Sequence, residues 1–360
     1  MPLSTASVEK APAPSCGKAG PRPCLDASAI VLCSRPESLA RFLESLARQE
    51  GLKPAEVLLV LNGLRQECAD VSASFTARLP GLRILAGGGL SLGEGRNAAA
   101  AKAMGRWLCF FDDDVVLPEG WFARLGDSLD LHPEASALGG PDRTPPGSTL
   151  FQRCVGLVLE SPLGSGPIRR HGAGFPEPTW TDDRGLILCG LVLDREALDD
   201  EGLAFDPELV RNEENLLLSR LRASGRRCLH DPGLFVFHER RPTARGFCRQ
   251  CFLSGRGRLQ MTLKAPASLK PFHLAPLLPL GAVLGACVLP SFFLPLLACY
   301  SLACAANGLL ILVRHRNEPW TALPWLSGLP PAAHLCYAAG LLAGAWDRLM
   351  ARPSGRPART

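Results

Sequence analysis

The stretch Trp107-Leu-Cys-Phe-Phe-Asp-Asp-Asp-Val-Val-Leu-Pro118 drives three consecutive carboxylates out of the end of an apolar run with β-propensity. Like charges about 4 Å apart repel by roughly 4 kcal/mol per pair at an effective dielectric of about 20. Such a triplet persists where water solvates it or where it holds a hard divalent cation. The apolar run reads as a buried strand and Pro118-Glu-Gly120 as the turn that ends it. The carboxylates then sit at the carboxyl end of a strand, where open α/β sheets bind ligands. A solvated strand end is the plain alternative.

Working outward, residues 27–33 form another buried strand, and Ser34-Arg-Pro-Glu37 turns it into a helix with Leu39, Phe42, Leu43 and Leu46 at helical spacing. Residues 56–61 make a second strand ending at Asn62-Gly63, which completes a parallel strand–helix–strand unit. A strand at 82–86 leads into the Gly-rich residues 87–95, read as a loop, and then a helix from Arg96 to Ala103. After the Asp triplet come a helix at 119–131 and a strand at 135–140. Residues 141–184 are too rich in Gly, Pro and charge for a core element, and long loops of this kind often carry function. Residues 185–193 return to strand, Asn212-Glu-Glu-Asn215 opens a helix that Gly225 closes, and 234–237 is a short strand stopping at His238. The order predicts an α/β fold with a mixed, mostly parallel sheet and ligand groups at successive strand ends. The Gly-rich loop is neither a Walker A loop nor a dinucleotide fingerprint.

Charge and cysteine usage narrow the class. The formal net charge is +5, with Arg240, Arg241, Arg245, Arg249, Arg256 and Arg258 clustered ahead of the apolar C-terminal part. Without interleaved aromatics or a recognition motif, the cluster fits a cytoplasmic juxtamembrane position and lipid head groups rather than nucleic acid. Fourteen cysteines, several inside apolar strand patterns, read as reduced, as in a cytosol-facing protein. Residues 1–26, rich in Pro, Ala, Ser and Gly, read as a disordered tail without a signal core.

Residues 274–313 carry no charged side chain, twice the roughly 20 residues a helix needs to cross a bilayer. A helical hairpin follows, bending at Pro290-Ser291 with Pro295 as the competing bend. Residues 320–346, interrupted by Pro324, Pro330 and Pro331, predict a third, re-entrant or interfacial element, because a full span would put Arg348, Arg352, Arg356 and Arg359 outside. The expected organisation is a tail (1–26), an α/β domain (27–257), a juxtamembrane linker (258–273), a membrane segment (274–346) and a basic tail (347–360). A multi-pass protein of the inner membrane, with its α/β domain in the cytoplasm, is the expectation.

Four features in order resemble the family 2 glycosyltransferases with a GT-A fold: Gly93-Glu-Gly-Arg-Asn97, Asp112-Asp-Asp114, the pair Glu213-Glu214 opening a helix, and His238 after a later strand. The phrase from His238 through Arg258 looks like the membrane-attached branch that builds bacterial exopolysaccharide repeats. The resemblance covers residues 28–257 and implies transfer of a sugar, with inversion, from a nucleotide-diphosphate donor to a lipid-linked or saccharide acceptor. A divalent cation, Mn2+ or Mg2+, would neutralise the leaving diphosphate. Asp114, with Asp112 and His238, would hold it, Asp112 lying nearer the ribose and Asp113 serving partly as structure. Ser34, Arg35, Glu37, Arg96 and Asn97 would meet the nucleotide sugar. Family members commonly end the second strand with an Asp that reads uracil; here Leu61 is followed by Asn62, which leaves Asn62 as the substitute or a base other than uridine. The acidic pair supplies the base that deprotonates the acceptor hydroxyl; the resemblance maps it onto Glu214, with Glu213 open because the usual second member is Asp. Acids in a first helical turn also complement the helix dipole without any catalytic part. The Gln-x-x-Arg-Trp motif of processive members lacks its Trp here, which implies single-sugar transfer.

Two other classes use the same features. A sugar nucleotidyltransferase would place similar carboxylates at strand ends but needs a basic Gly-rich loop after the first strand. A non-catalytic membrane scaffold would keep the fold and not need the acids.

Overall fold

The computed structural model describes residues 24–33, 35–62, 66–209 and 211–350, so Ser34, most of the N-terminal tail and the end of the basic tail lie outside the described residues. The strands are β1 (Cys24–Cys33), β2 (Lys53–Asn62), β3 (Leu82–Gly87), β4 (Trp107–Asp112), β5 (Val115–Val116), β6 (Ala135–Gly139), β7 (Asp142–Arg143), β8 (Thr179–Thr181), β9 (Leu191–Asp194), β10 (Arg227–His230) and β11 (Val236–His238). The helices are α1 (Pro36–Ala47), α2 (Gln66–Ala73), α3 (Leu92–Ala100), α4 (Trp121–Leu131), α5 (Leu150–Glu160), α6 (Pro162–Ser165), α7 (Arg195–Asp200), α8 (Glu213–Ala223), α9 (Ala244–Lys264), α10 (Pro271–Leu274), α11 (Leu277–Ala286), α12 (Pro290–Arg314) and α13 (Leu323–Met350).

The main sheet runs β3-β2-β1-β4-β9-β6-β10-β8. Strands β3, β2, β1 and β4 are parallel, and β9 pairs antiparallel with both β4 and β6. Alternation along β1 sends Ala29, Val31 and Cys33 into a core with α1 and α4, and Ile30 and Leu32 into a second core with α3 and α8. Phe110 and Phe111 of β4 divide between the same two cores, each burial being worth about 2 kcal/mol. Helices thus cover both faces, and register brings Leu32 beside Asp112 at the carboxyl edge. A small second sheet, β5-β11-β7, lies beyond that edge and carries His238 and Asp142.

Several local expectations change. The helix expected from Arg96 starts four residues earlier, at Leu92. Ser91 caps it, its Oγ accepting from the Glu94 N–H (3.2 Å) while Glu94 accepts from the Ser91 N–H (2.8 Å). Its Gly93 is required by contact, since a Cβ there would meet the Asp206 carbonyl at 2.8 Å. The stretch expected to be irregular contains α5, opened by a Thr149–Gln152 capping box. The strand expected at 185–193 begins only at Leu191, after a 3-10 turn at Leu188–Gly190.

The C-terminal helices pack in part against α5 and α9. Among the described residues one helix, α12, is long and apolar enough to cross a membrane. Pro290 opens it and Pro295 lies inside it, so the bend falls just before Pro290. The apolar helical stretch before α12, Pro271–Ala286, is shorter than the roughly 20 residues of a full crossing. The third element is one continuous helix, α13, which runs through Pro330 and Pro331. It shares a core with α5, α9 and α12, made of Cys154, Val155, Val158, Phe247, Ile311 and Leu326 among others. The boundary expected at 257/258 falls inside α9.

Helices α9 and α13 touch backbone to backbone. A Cβ on Gly255 would strike the Tyr337 carbonyl, and one on Gly340 the Phe252 carbonyl. Gly340→Ala should therefore lower stability by about 1–3 kcal/mol, read as a drop in thermal midpoint. An unchanged midpoint would show that the two helices do not pack in this way.

Candidate functional site

The Asp triplet leaves β4 with its three side chains in different surroundings. Asp112, a third exposed, accepts from Arg96 Nη2 at 3.3 Å. Asp113 is buried and accepts from the Arg35 backbone N–H (2.9 Å) and from Arg35 Nη2 (2.7 Å). Asp114 is also buried, with its Oδ2 2.7 Å from Arg35 Nη2 and its Oδ1 3.3 Å from His238 Nε2. Burial pushes the Asp114 carboxyl up, but His238 and Arg35 outweigh it and hold the group well below the usual carboxylate range.

Beneath His238 lies Asp142, fully buried, which the sequence reading missed. It accepts from His238 Nδ1 (3.0 Å), His171 Nδ1 (2.6 Å) and Arg240 Nη1 (2.6 Å). Burial pushes the His238 imidazole down, whereas Cys189, Asp114 and Asp142 raise it well above its ordinary value. The signal for Asp142 was present, because it follows strand β6 as Asp112 ends β4. Asp142 orients the ring so that Nε2 faces the triplet, as carboxylates behind metal-binding histidines commonly do. Asp142→Asn should weaken Mn2+ binding by about 10–100-fold, measured by calorimetry; undiminished affinity would deny Asp142 that part.

Asp112, Asp114 and His238 each place one donor atom within 4.8 Å of the others. Two carboxylates and an imidazole suit Mn2+ or Mg2+ in donor type. Asp142, Cys189 and His238 are equally close, but the Asp142 oxygens are already taken by Arg240 and two imidazoles. The first set therefore fits a cation better.

The acidic pair opens α8 behind Asn212, the one described non-glycine residue with positive φ (64°). Such backbone strain persists where surrounding contacts enforce it. Glu213 is buried and accepts from Arg96 Nη1 at 2.6 Å, so Arg96 links it to Asp112. Burial, then Glu214, pushes the Glu213 carboxyl up to about 7 against the pull of Arg96. Glu214 turns the other way, 3.8 Å from Arg170 Nη1. Because the folded pKa of Glu213 exceeds its unfolded one, the stabilisation it provides is complete below about pH 4.5 and is lost as pH rises through about 7, a change of about 3 kcal/mol. Glu213→Gln should flatten that part of the stability profile in pH-dependent thermal melts, and an unaltered slope would exclude Glu213 as its source.

The remaining sequence-derived residues separate. Arg35 joins the triplet, as above, while Glu37 lies exposed in the first turn of α1. Asn97 departs from the expected nucleotide contact: its Nδ2 donates to the Phe205 carbonyl (2.8 Å) and its Oδ1 accepts from the Phe205 N–H (2.9 Å), so the amide pins a loop. Asn62 ends β2 at the same sheet edge, though its side chain lies outside the described residues.

Comparisons with known proteins bear on the fold and the sequence of the α/β domain. Residues 29–178 match the Glycosyl transferase family 2 profile. Succinoglycan biosynthesis protein ExoO of Rhizobium meliloti (strain 1021) is 27% identical over 223 residues, which span 57% of this chain and 58% of that protein. The chain thus aligns with little more than half the length of that curated relative. Mannosyltransferase PcManGT from Pyrobaculum calidifontis, solved with GDP-Man and Mn2+, superposes with a TM-score of 0.57 at 17% identity, over 92% of this chain and 90% of that one. S. aureus TarS 1-349 with UDP-GlcNAc gives a TM-score of 0.49 at 16% identity, over 89% and 92%. Residues 29–178 thus resemble the family 2 glycosyltransferases, and the α/β domain has the GT-A fold.

Proposed function

We propose that this protein transfers one sugar, with inversion, from a nucleotide-diphosphate donor to a lipid-linked or saccharide acceptor. The observation that carries this reading is the pair of links His238–Asp114 and Asp112–Arg96–Glu213, which start from one strand-end triplet and reach the acidic pair. Asp112, Asp114 and His238 would hold Mn2+ or Mg2+, which when bound neutralises charge on the departing diphosphate. Arg35 and Arg241, 2.7 and 4.0 Å from Asp114, are placed to meet donor phosphates. Glu214 would accept the proton of the attacking hydroxyl, since no strong donor occupies its carboxylate, whereas Arg96 engages Glu213.

The likeness to a succinoglycan biosynthesis protein supports an acceptor in polysaccharide assembly. Membrane attachment rests on α12, whose Phe292, Leu294 and Leu302 are exposed, with α11 dipping beside it and the α/β domain on the cytoplasmic side. The test is incubation of the detergent-solubilised protein with Mn2+, a panel of UDP- and GDP-sugars and bacterial membrane extract, read by mass spectrometry. A lipid or glycan heavier by one sugar unit supports the reading. Release of free sugar or no product from any donor would refute it.

A further inference from the structure

Behind Glu214, where the chain passes from the α/β domain to its apolar helices, Arg170, Arg258 and His273 act on one another with few acceptors between them. Arg258 of α9 is only 5% exposed. Its Nη1 donates to the Met261 thioether (3.1 Å), and Tyr337 is its other polar neighbour. Asp183 and Glu214 are the carboxylates that act on it, and neither comes within ion-pair distance. Buried charges ordinarily demand a partner. Arg170 reaches Glu214 only at 3.8 Å and Asn215 Oδ1 at 3.5 Å, and its Nε is buried without a partner.

The third group is His273 of α10, also 5% exposed. Its Nδ1 accepts the Lys270 N–H at 3.1 Å, so in the neutral ring the proton sits on Nε2, which is buried and unpaired. Burial, followed by Arg258, Arg184, Arg170 and Lys270, pushes this imidazole down to about 3. Those same charges, unfavourable to a further cation, favour an anion. Arg184 lies over the Phe272 ring and also lines an open cavity of about 420 Å³ with Arg169 and Arg222. Asp182 neutralises Arg184, and burial pushes Asp183 up, so the carboxylates nearby do not cancel the set.

We infer that Arg170, Arg258 and His273 form a binding pocket for the phosphate or diphosphate of a membrane-embedded acceptor, separate from the donor diphosphate beside the Asp triplet. The assignment rests on the transferase reading and deepens it. Position selects the source: the pocket adjoins Glu214 on one side, and on the other α10 leads within three residues into apolar α11. Three hydrogen-bond donors on two guanidinium groups and an imidazole match the oxygens of a phosphate.

The test uses the full chain in detergent micelles, titrated calorimetrically with inorganic pyrophosphate in metal-free buffer. One equivalent should bind, excess GDP or UDP should not displace it, and Arg258→Met and Arg170→Gln should each weaken it tenfold or more. An apolar residue of similar volume commonly preserves folding at a buried charge, so the thermal midpoint of Arg258→Met serves as the control, with Arg170→Gln as the independent variant if it falls. Farnesyl diphosphate should bind at least tenfold tighter than pyrophosphate. Displacement by the nucleotide, or affinity untouched by both substitutions, overturns the pocket, and equal affinity for the two probes overturns the membrane acceptor. Failure of the transferase reading itself would show elsewhere, as absent Mn2+-dependent GDP and UDP binding.

Discussion

Asp114→Ala should reduce sugar transfer by roughly 10³-fold or more, the scale of losing a principal electrostatic contact in the transition state. The expectation rests on position, since Asp114 is the acid that meets His238 Nε2 and the Arg35 guanidinium together. Its neighbour provides the control. Asp113 takes the Arg35 backbone N–H as well as the side chain and so holds the turn after β1. Asp113→Ala should therefore lower the thermal midpoint more than Asp114→Ala does. Asp114→Asn, which keeps shape and removes charge, should match the alanine variant in turnover and in lost Mn2+ affinity. Near-wild-type transfer by Asp114→Ala in chelator-treated buffer would remove the metal from the reaction.

Glu214→Gln should lower kcat by about 10²–10⁴-fold, the usual contribution of a positioned general base, with little change in donor binding. Gln keeps the length of the side chain and its reach towards Arg170, but cannot take a proton. Glu213→Gln should behave differently. Gln mimics the protonated form that burial favours up to about pH 7 and keeps a side chain of the same length against Arg96, so it removes only the loss of stability that sets in above that pH. Stability below pH 7 and kcat should both change little. Initial rates and melting curves on both variants separate the two roles, and a kcat loss at Glu213 equal to that at Glu214 with unchanged stability would reassign the base.

Much of the central sheet was legible in advance. The apolar runs of β1, β2, β3 and β4 signal their own strands, and Leu39, Phe42, Leu43 and Leu46 signal α1, because a strand or helix buried by one face repeats at its own period. The starts of α3 and α5 were hidden by glycines and polar residues, although both capping boxes, Ser91–Glu94 and Thr149–Gln152, were readable. The C-terminal helices misled for a different reason. Composition alone does not distinguish lipid from protein as the covering of an apolar face, and in α13 part of that face belongs to α9 and α5.

What sequence alone determined is the local chemistry: three acids at a strand end, a second acidic pair at a helix start, a histidine ending another strand. Each follows from neighbours in the chain. Only the tertiary structure decided which of them act together, because the decisive contacts join residues far apart. Arg96 meets Glu213 across 117 positions, and Asp142 meets His238 across 96. It also turned Asn97 from ligand contact to loop anchor and left Arg258 buried without a carboxylate, since hydrogen-bond partners are assigned by packing in space and leave no periodic trace in the chain.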